Sequence, residues 1–138
     1  MPWRDHLHKA LANLEAAEVC HRENLPDPAV SRAYYSVFHA AIAALFRLSE
    51  YRAERESWDH AEVQAEFNRR LIVRQKVFLA ELGRIPSDLI NYRHIADYRR
   101  VSISKKIAGR CLEKARRFVT AVENKLKEEP ANGSGAKP

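Results

Sequence analysis

Apolar residues recur every three or four positions through almost all of the first 128 residues, which is helical spacing, and no stretch alternates as a strand would. Leu7, Leu11, Leu14 and Val19 line one face of a first helix between Asp5 and Asn24. The run Leu25-Pro26-Asp27-Pro28 interrupts the pattern, and Asp27 as N-cap with Pro28 in the first turn predicts a second helix reaching about Glu50. Its apolar set is wide, and Ala40 to Ala44 is small and apolar on every side, so this helix should be the central one. Residues 51–57 form a charged connection. From Trp58, with a cap near Ser57, the spacing of Val63, Phe67 and Leu71 predicts a third helix, continued by Val73, Val77 and Leu82 and ended by Gly83 and Pro86. Ser87 is the expected N-cap of a helix carrying Leu89, Ile90, Tyr92 and Ile95. Ser102 or Ser104 caps the last helix, whose stripe of Ile107, Cys111, Ala115, Phe118, Val122 and Leu126 is the cleanest in the chain. These elements predict an all-α, antiparallel bundle of four to five helices as a single domain over 1–128. The tail 129–138 has no core residue and is expected to be disordered.

Composition agrees with one globular domain: 138 residues, 46% hydrophobic and 30% charged, with four glycines, too few for the tight turns of a sandwich or barrel. The longest unbroken apolar run, Ala40 to Phe46, is far short of the roughly 20 residues needed to span a bilayer. The N-terminus, MPWRDHLHKA, lacks the apolar core of a signal peptide, so a soluble, cytoplasmic protein with no membrane partner is expected. Cys20 and Cys111 stand alone, without metal-ligand spacing, which favours two reduced thiols over a disulfide.

The net charge of +6 is uneven: residues 1–50 sum to −1, residues 51–100 to +2 and residues 101–138 to +5. A basic last third suits an anionic partner such as RNA, and suits a solvated helix face equally well. No phosphate-binding glycine loop, dinucleotide fingerprint, zinc-protease helix or nucleophile elbow occurs. Of the six histidines, His6 and His8 point to different sides of a helix, and nothing predicts a metal or a cofactor.

Two patches stand out. On the central helix, in Ser31 to Ala41, Arg32, Tyr35 and His39 are spaced by three and four and share a face. They line a cleft or form an internally bonded polar cluster with Arg32 at its rim. The second patch runs from Tyr92 to Arg100. Arg93 and Asp97 have the spacing of an intrahelical ion pair, the cations Arg93, Arg99 and Arg100 suit a phosphate, and Tyr92 and Tyr98 suit a stacked base.

Together, Ser31-Arg32-Ala33-Tyr34-Tyr35 with Phe38-His39-Ala40, and some sixty residues later Tyr92-Arg93-His94-Ile95-Ala96-Asp97-Tyr98, resemble the HEPN domain family (higher eukaryotes and prokaryotes nucleotide-binding). The nearest likeness is its small stand-alone prokaryotic branch with an Arg-x-x-Ala-Asp-Tyr motif, over roughly residues 5–127. His60 falls where that branch often has a histidine. The resemblance implies a helical bundle, commonly a homodimer. It also implies one of two roles: a metal-independent endoribonuclease, or a binding module paired with a minimal nucleotidyltransferase in a toxin–antitoxin or defence setting. The family's nucleases use an Arg-x4–6-His pair. Arg32 with His39 and Arg55 with His60 fit that spacing, but with 16 arginines and six histidines about two such matches arise by chance. Four residues after Arg93 stands Asp97 rather than histidine, and a carboxylate near its usual pKa of about 4 is a poor proton donor at neutral pH. A binding module, with Arg32, Tyr35, Tyr98, Arg99 and Arg100 on the nucleotide or RNA, is therefore the first expectation. The alternative is a ribonuclease using Arg93, Asp97 and His39.

Overall fold

The computed structural model describes residues 2–52 and 59–128 of the chain. Among them are five α-helices and no strand: α1 (Pro2–Arg22), α2 (Pro26–Leu48), α3 (His60–Phe67), α4 (Ile85–Tyr98) and α5 (Lys105–Lys127). The expected all-α bundle is present. The tail 129–138 and the Ser57 cap lie outside the described residues. No described helix is long and apolar enough to cross a membrane.

The α1–α2 turn shows why helices so close in sequence pack as a hairpin. Asn24 adopts a left-handed conformation (φ 63°), Leu25 N–H donates to Cys20 C=O at 2.8 Å, and Asn24 N–H donates to His21 C=O at 3.2 Å. That is a Schellman closure with asparagine in the place usually held by glycine. The next helix starts two residues earlier than expected, with Leu25 at the cap position and Pro26 in the first turn. Asp27 is not the cap; its carboxylate accepts from Ile103 N–H at 2.8 Å and ties the start of α2 to the segment before α5.

α2 is central, touching α1, α3, α4 and α5. Ala29, Ala33, Ala40, Ala41, Ala43 and Ala44 are all buried, and such small side chains let neighbours approach on several sides. The large core residues come mostly from the partners. Phe118 of α5 lies 5.1 Å from Phe67 at the end of α3, and Phe78 stacks on the other side of Phe67 at 5.5 Å.

The third helix departs most from expectation. Asp59 caps it, accepting from Glu62 N–H at 2.9 Å, and the α-helix lasts only to Phe67. It widens into a π-helical stretch, Asn68–Arg74, closed by Lys76 at φ 52° with Val77 N–H on Leu71 C=O at 2.8 Å. Val77 and Leu82 therefore do not continue the helix, and a 3-10 turn, Ala80–Arg84, leads directly into α4. Gly83 has a negative φ, and a Cβ there would come within 2.2 Å of Asn68 Oδ1, so a larger residue would require the Asn68 side chain to turn away. Pro86 sits inside the first turn of α4, so Ser87 is not its cap. For α5, Ser104 is the cap, its hydroxyl accepting from Ile107 N–H at 3.1 Å.

Candidate functional site

Periodicity turns Tyr34, Tyr35 and Phe38 of α2 toward α3 and α4, and the first residue of α3 completes this face. The His60 ring stacks on Phe38 at 4.2 Å and on Tyr34 at 5.4 Å, and its Nδ1 is hydrogen-bonded to the Tyr34 hydroxyl. Tyr35 meets Tyr34 and His60 edge-on.

Arg93 of α4 is laid over this aromatic cluster. Its guanidinium carbon is 5.6 Å from the Tyr34 ring centre and 5.2 Å from that of Tyr35, within cation–π range. Its Nε donates to Asp97 Oδ2 at 3.1 Å. The other carboxylate oxygen of Asp97 accepts from Ser31 Oγ of α2 at 2.5 Å. Asp97 thus bridges two helices and orients the arginine, whose side chain is only 17% exposed.

This cation sets the local proton chemistry. Burial, and then the positive field of Arg93, hold His60 below the ordinary histidine pKa, so its imidazole is neutral at pH 7. Burial raises Tyr34 well above the ordinary phenol value, against the opposing pull of Arg93, so its hydroxyl keeps its proton. Beside His60 lies a cavity of about 10 Å³, room for a single water rather than a nucleotide.

The sequence-predicted residues divide between this corner and two other places. Arg93, Asp97 and Tyr35 are together here. Arg32 reaches the same ring from the other flank, 5.0 Å from the Tyr35 centre, while its Nη1 donates to Asn13 Oδ1 of α1 at 2.9 Å. His39 turns to α1 instead. Its Nδ1 is 3.1 Å from Nδ1 of His6, the two rings stack at 5.3 Å, and His6 stacks in turn on Phe46 at 5.8 Å. Burial, with the charges of His6, Lys9, His60 and Arg32, pushes the His39 pKa down to about 4. Tyr98 is 71% exposed with its ring near His94, and Arg99 and Arg100 follow it on the surface.

Three members of the corner were not among the site residues expected from the sequence, although the family resemblance marks the position of His60: Ser31, Tyr34 and His60. Ser31 and Tyr34 fall inside the quoted motif, but their partners lie 66 and 26 residues away, and no spacing rule links them. Cys111 is buried, with its thiol pushed up to about 11 by burial, and both cysteines are free. Among the described residues no three histidines, cysteines or carboxylates converge as metal ligands.

The HEPN domain family model matches residues 3–125. A protein of Methanocaldococcus jannaschii named "Putative toxin MJ0605" is 32% identical over 117 residues, covering 84% of this chain and 82% of that one.

Proposed function

This chain belongs to the HEPN family, and we propose that it is a toxin-related member that binds RNA at the Arg93 corner. The observation that carries this reading is the placement of Arg93: a guanidinium fixed by Asp97 and two tyrosine rings, on the helix that ends in the exposed run Tyr98-Arg99-Arg100. A preoriented cation can take a phosphate, and an exposed ring with two further cations at the end of the same helix can stack a base and hold neighbouring phosphates of one strand. Such a site needs no enclosed pocket, which agrees with the water-sized cavity beside His60.

The toxin-named archaeal relative supports a place in a prokaryotic toxin–antitoxin or defence pair. Within that proposal, the chain forms a homodimer and acts with a minimal nucleotidyltransferase partner. Sedimentation equilibrium of the chain alone, and then with such a partner, tests both associations.

A second reading is favoured by the placement of His60: a metal-independent endoribonuclease. In it the RNA 2′-hydroxyl attacks the adjacent phosphorus, the bond to O5′ breaks, and a 2′,3′-cyclic phosphate and a 5′-hydroxyl end result. A neutral histidine takes the 2′-hydroxyl proton, water protonates the departing O5′, and Arg93 balances the charge that develops on the phosphate. Nδ1 of His60 is engaged by Tyr34, so the base is Nε2, and this requires the tautomer in which Nδ1–H donates to the Tyr34 oxygen. One experiment separates the readings: labelled RNA is incubated with the protein in EDTA, and both retention and cleavage are followed. Retention without cleavage, lost in Arg93→Ala, supports the binding module. Cleavage lost in both Arg93→Ala and His60→Ala supports the nuclease. Failure of the folded protein to bind or cut RNA overturns both.

A further inference from the structure

The basic side chains in the middle of α5 divide into two that already have ion-pair partners and two that do not. Arg116 is held by Glu18 of α1 at 2.9 Å and by Glu113 at 2.7 Å, and Lys114 reaches Asp88 of α4 at 3.1 Å. Arg110 and Arg117 are exposed and have no ion-pair partner among the described residues. They are seven positions apart, so they stand on one face of the helix with Lys114 between them. Together the three line a groove of about 300 Å³ between α4 and α5, with Tyr92, Ile107 and Cys111 as its apolar part and Glu113, whose carboxylate is held by Arg116, as its one acidic residue.

Tyr92 adjoins Arg93 in sequence, but a step of one residue turns a helical side chain by about 100°. Arg93 lies over the rings of α2, while Tyr92 lines the groove toward α5. α4 therefore carries a phosphate-binding cation on one flank and an aromatic wall with cations on the other.

We propose that the α4–α5 groove is a second anchoring subsite for single-stranded nucleic acid, taking one base against Tyr92 and the flanking phosphates on Arg110 and Arg117. It rests on the RNA-binding reading above and adds the path of the strand, across α4 onto α5. The groove's shape and chemistry choose this occupant. A volume of about 300 Å³ suits a single small unit such as one base. An aromatic wall beneath cations matches the stacked base and flanking phosphate of a single strand. Arg110 and Arg117, unlike Arg116, do not give up an intramolecular ion pair to bind.

The test is equilibrium binding of a fluorescently labelled 12-nucleotide oligouridylate to the full chain over a range of salt concentrations. The double variant Arg110→Gln/Arg117→Gln changes only exposed side chains. Its affinity is expected to fall about ten-fold or more, and the slope of log K against log salt to flatten by about 1.4, two single-strand phosphate contacts. Tyr92→Leu is expected to weaken binding with the slope unchanged, because stacking releases no counterions. An unchanged affinity and slope in the double variant, while Arg93→Gln loses binding, overturns the subsite and leaves the RNA-binding reading standing. Failure of the wild-type chain to bind overturns both. If poly-glutamate competes as well as RNA and is equally sensitive to Tyr92→Leu, the groove takes an acidic protein segment and the proposal is overturned.

Discussion

Two flanks of α2 carry a histidine each, and the two histidines are used differently. On the α1 side, His39 meets His6 nitrogen to nitrogen at 3.1 Å, inside a stack that ends on Phe46. On the α3–α4 side, His60 meets the Tyr34 hydroxyl, under the field of Arg93. Both are kept neutral chiefly by burial. The difference lies in the neighbours. The His6–His39 contact needs one donor nitrogen and one acceptor, so it tolerates no second proton and works as a joint between helices. The Tyr34–His60 contact stands beside a fixed cation whose carboxylate partner is itself anchored to α2 through Ser31. A buried histidine marks a functional place by the charges around it, not by its depth.

That contrast is broken most directly at Arg93. Arg93→Ala is expected to reduce RNA affinity by about ten-fold or more, the loss of one charge-assisted contact. The thermal midpoint should fall modestly, because the i,i+4 pair contributes about 0.3–0.5 kcal/mol and each cation–π contact of this largely buried guanidinium about 1 kcal/mol. His39→Gln should differ, with RNA affinity retained and stability altered. Filter binding and thermal unfolding on the same two variants check both halves.

The next largest effect is pH-dependent. His39 has a folded pKa near 4 against about 6.5 when unfolded, so the unfolded chain binds the extra proton between those values. Its contribution is fully present above pH 6.5 and is lost progressively as pH falls through 4. The groups facing it from α1 are His6 and Lys9, and from elsewhere His60 and Arg32. His6 is also held low and adds to the same trend. Unfolding midpoints compared at pH 7.5 and pH 5 should therefore drop more for the wild type than for His39→Gln.

Tyr34→Phe sharpens the other side. Loss of the hydroxyl removes a part-buried hydrogen bond, expected to cost about 1 kcal/mol in unfolding free energy by denaturant titration. Asp97→Asn is the gentlest change. It weakens the Arg93 and Ser31 contacts, costs about 0.3–0.5 kcal/mol of ion-pair stability, and frees Arg93 to swing, which a lower salt dependence of RNA binding would expose.

The helical periodicity of this chain was legible because helices bury stripes, and five such stripes are written plainly between Leu7 and Leu126. The boundaries were less so. Asp27 and Ser87 have the chemistry of caps but are overridden: Asp27 by a contact 76 residues away, Ser87 by a turn that runs straight into α4. The Val73–Leu82 pattern looked like continued helix because apolar spacing does not report a π-helical widening or the left-handed Lys76 that ends it. At the site, Arg93 and Asp97 were readable as an i,i+4 pair. The family resemblance marked His60, but its seat on Phe38 depends on how α3 packs across a segment of charged residues, and no local spacing carries that information.

The central claim is that RNA engages the α3–α4 flank of α2 and leaves the α1 flank alone. It is tested most directly by following the histidine ring resonances by NMR while a short single-stranded RNA is added to the intact chain. The expected result is that the His60 signals shift or broaden with RNA and those of His6 and His39 stay in place. Movement of the His6 and His39 signals, with His60 unchanged, would contradict it.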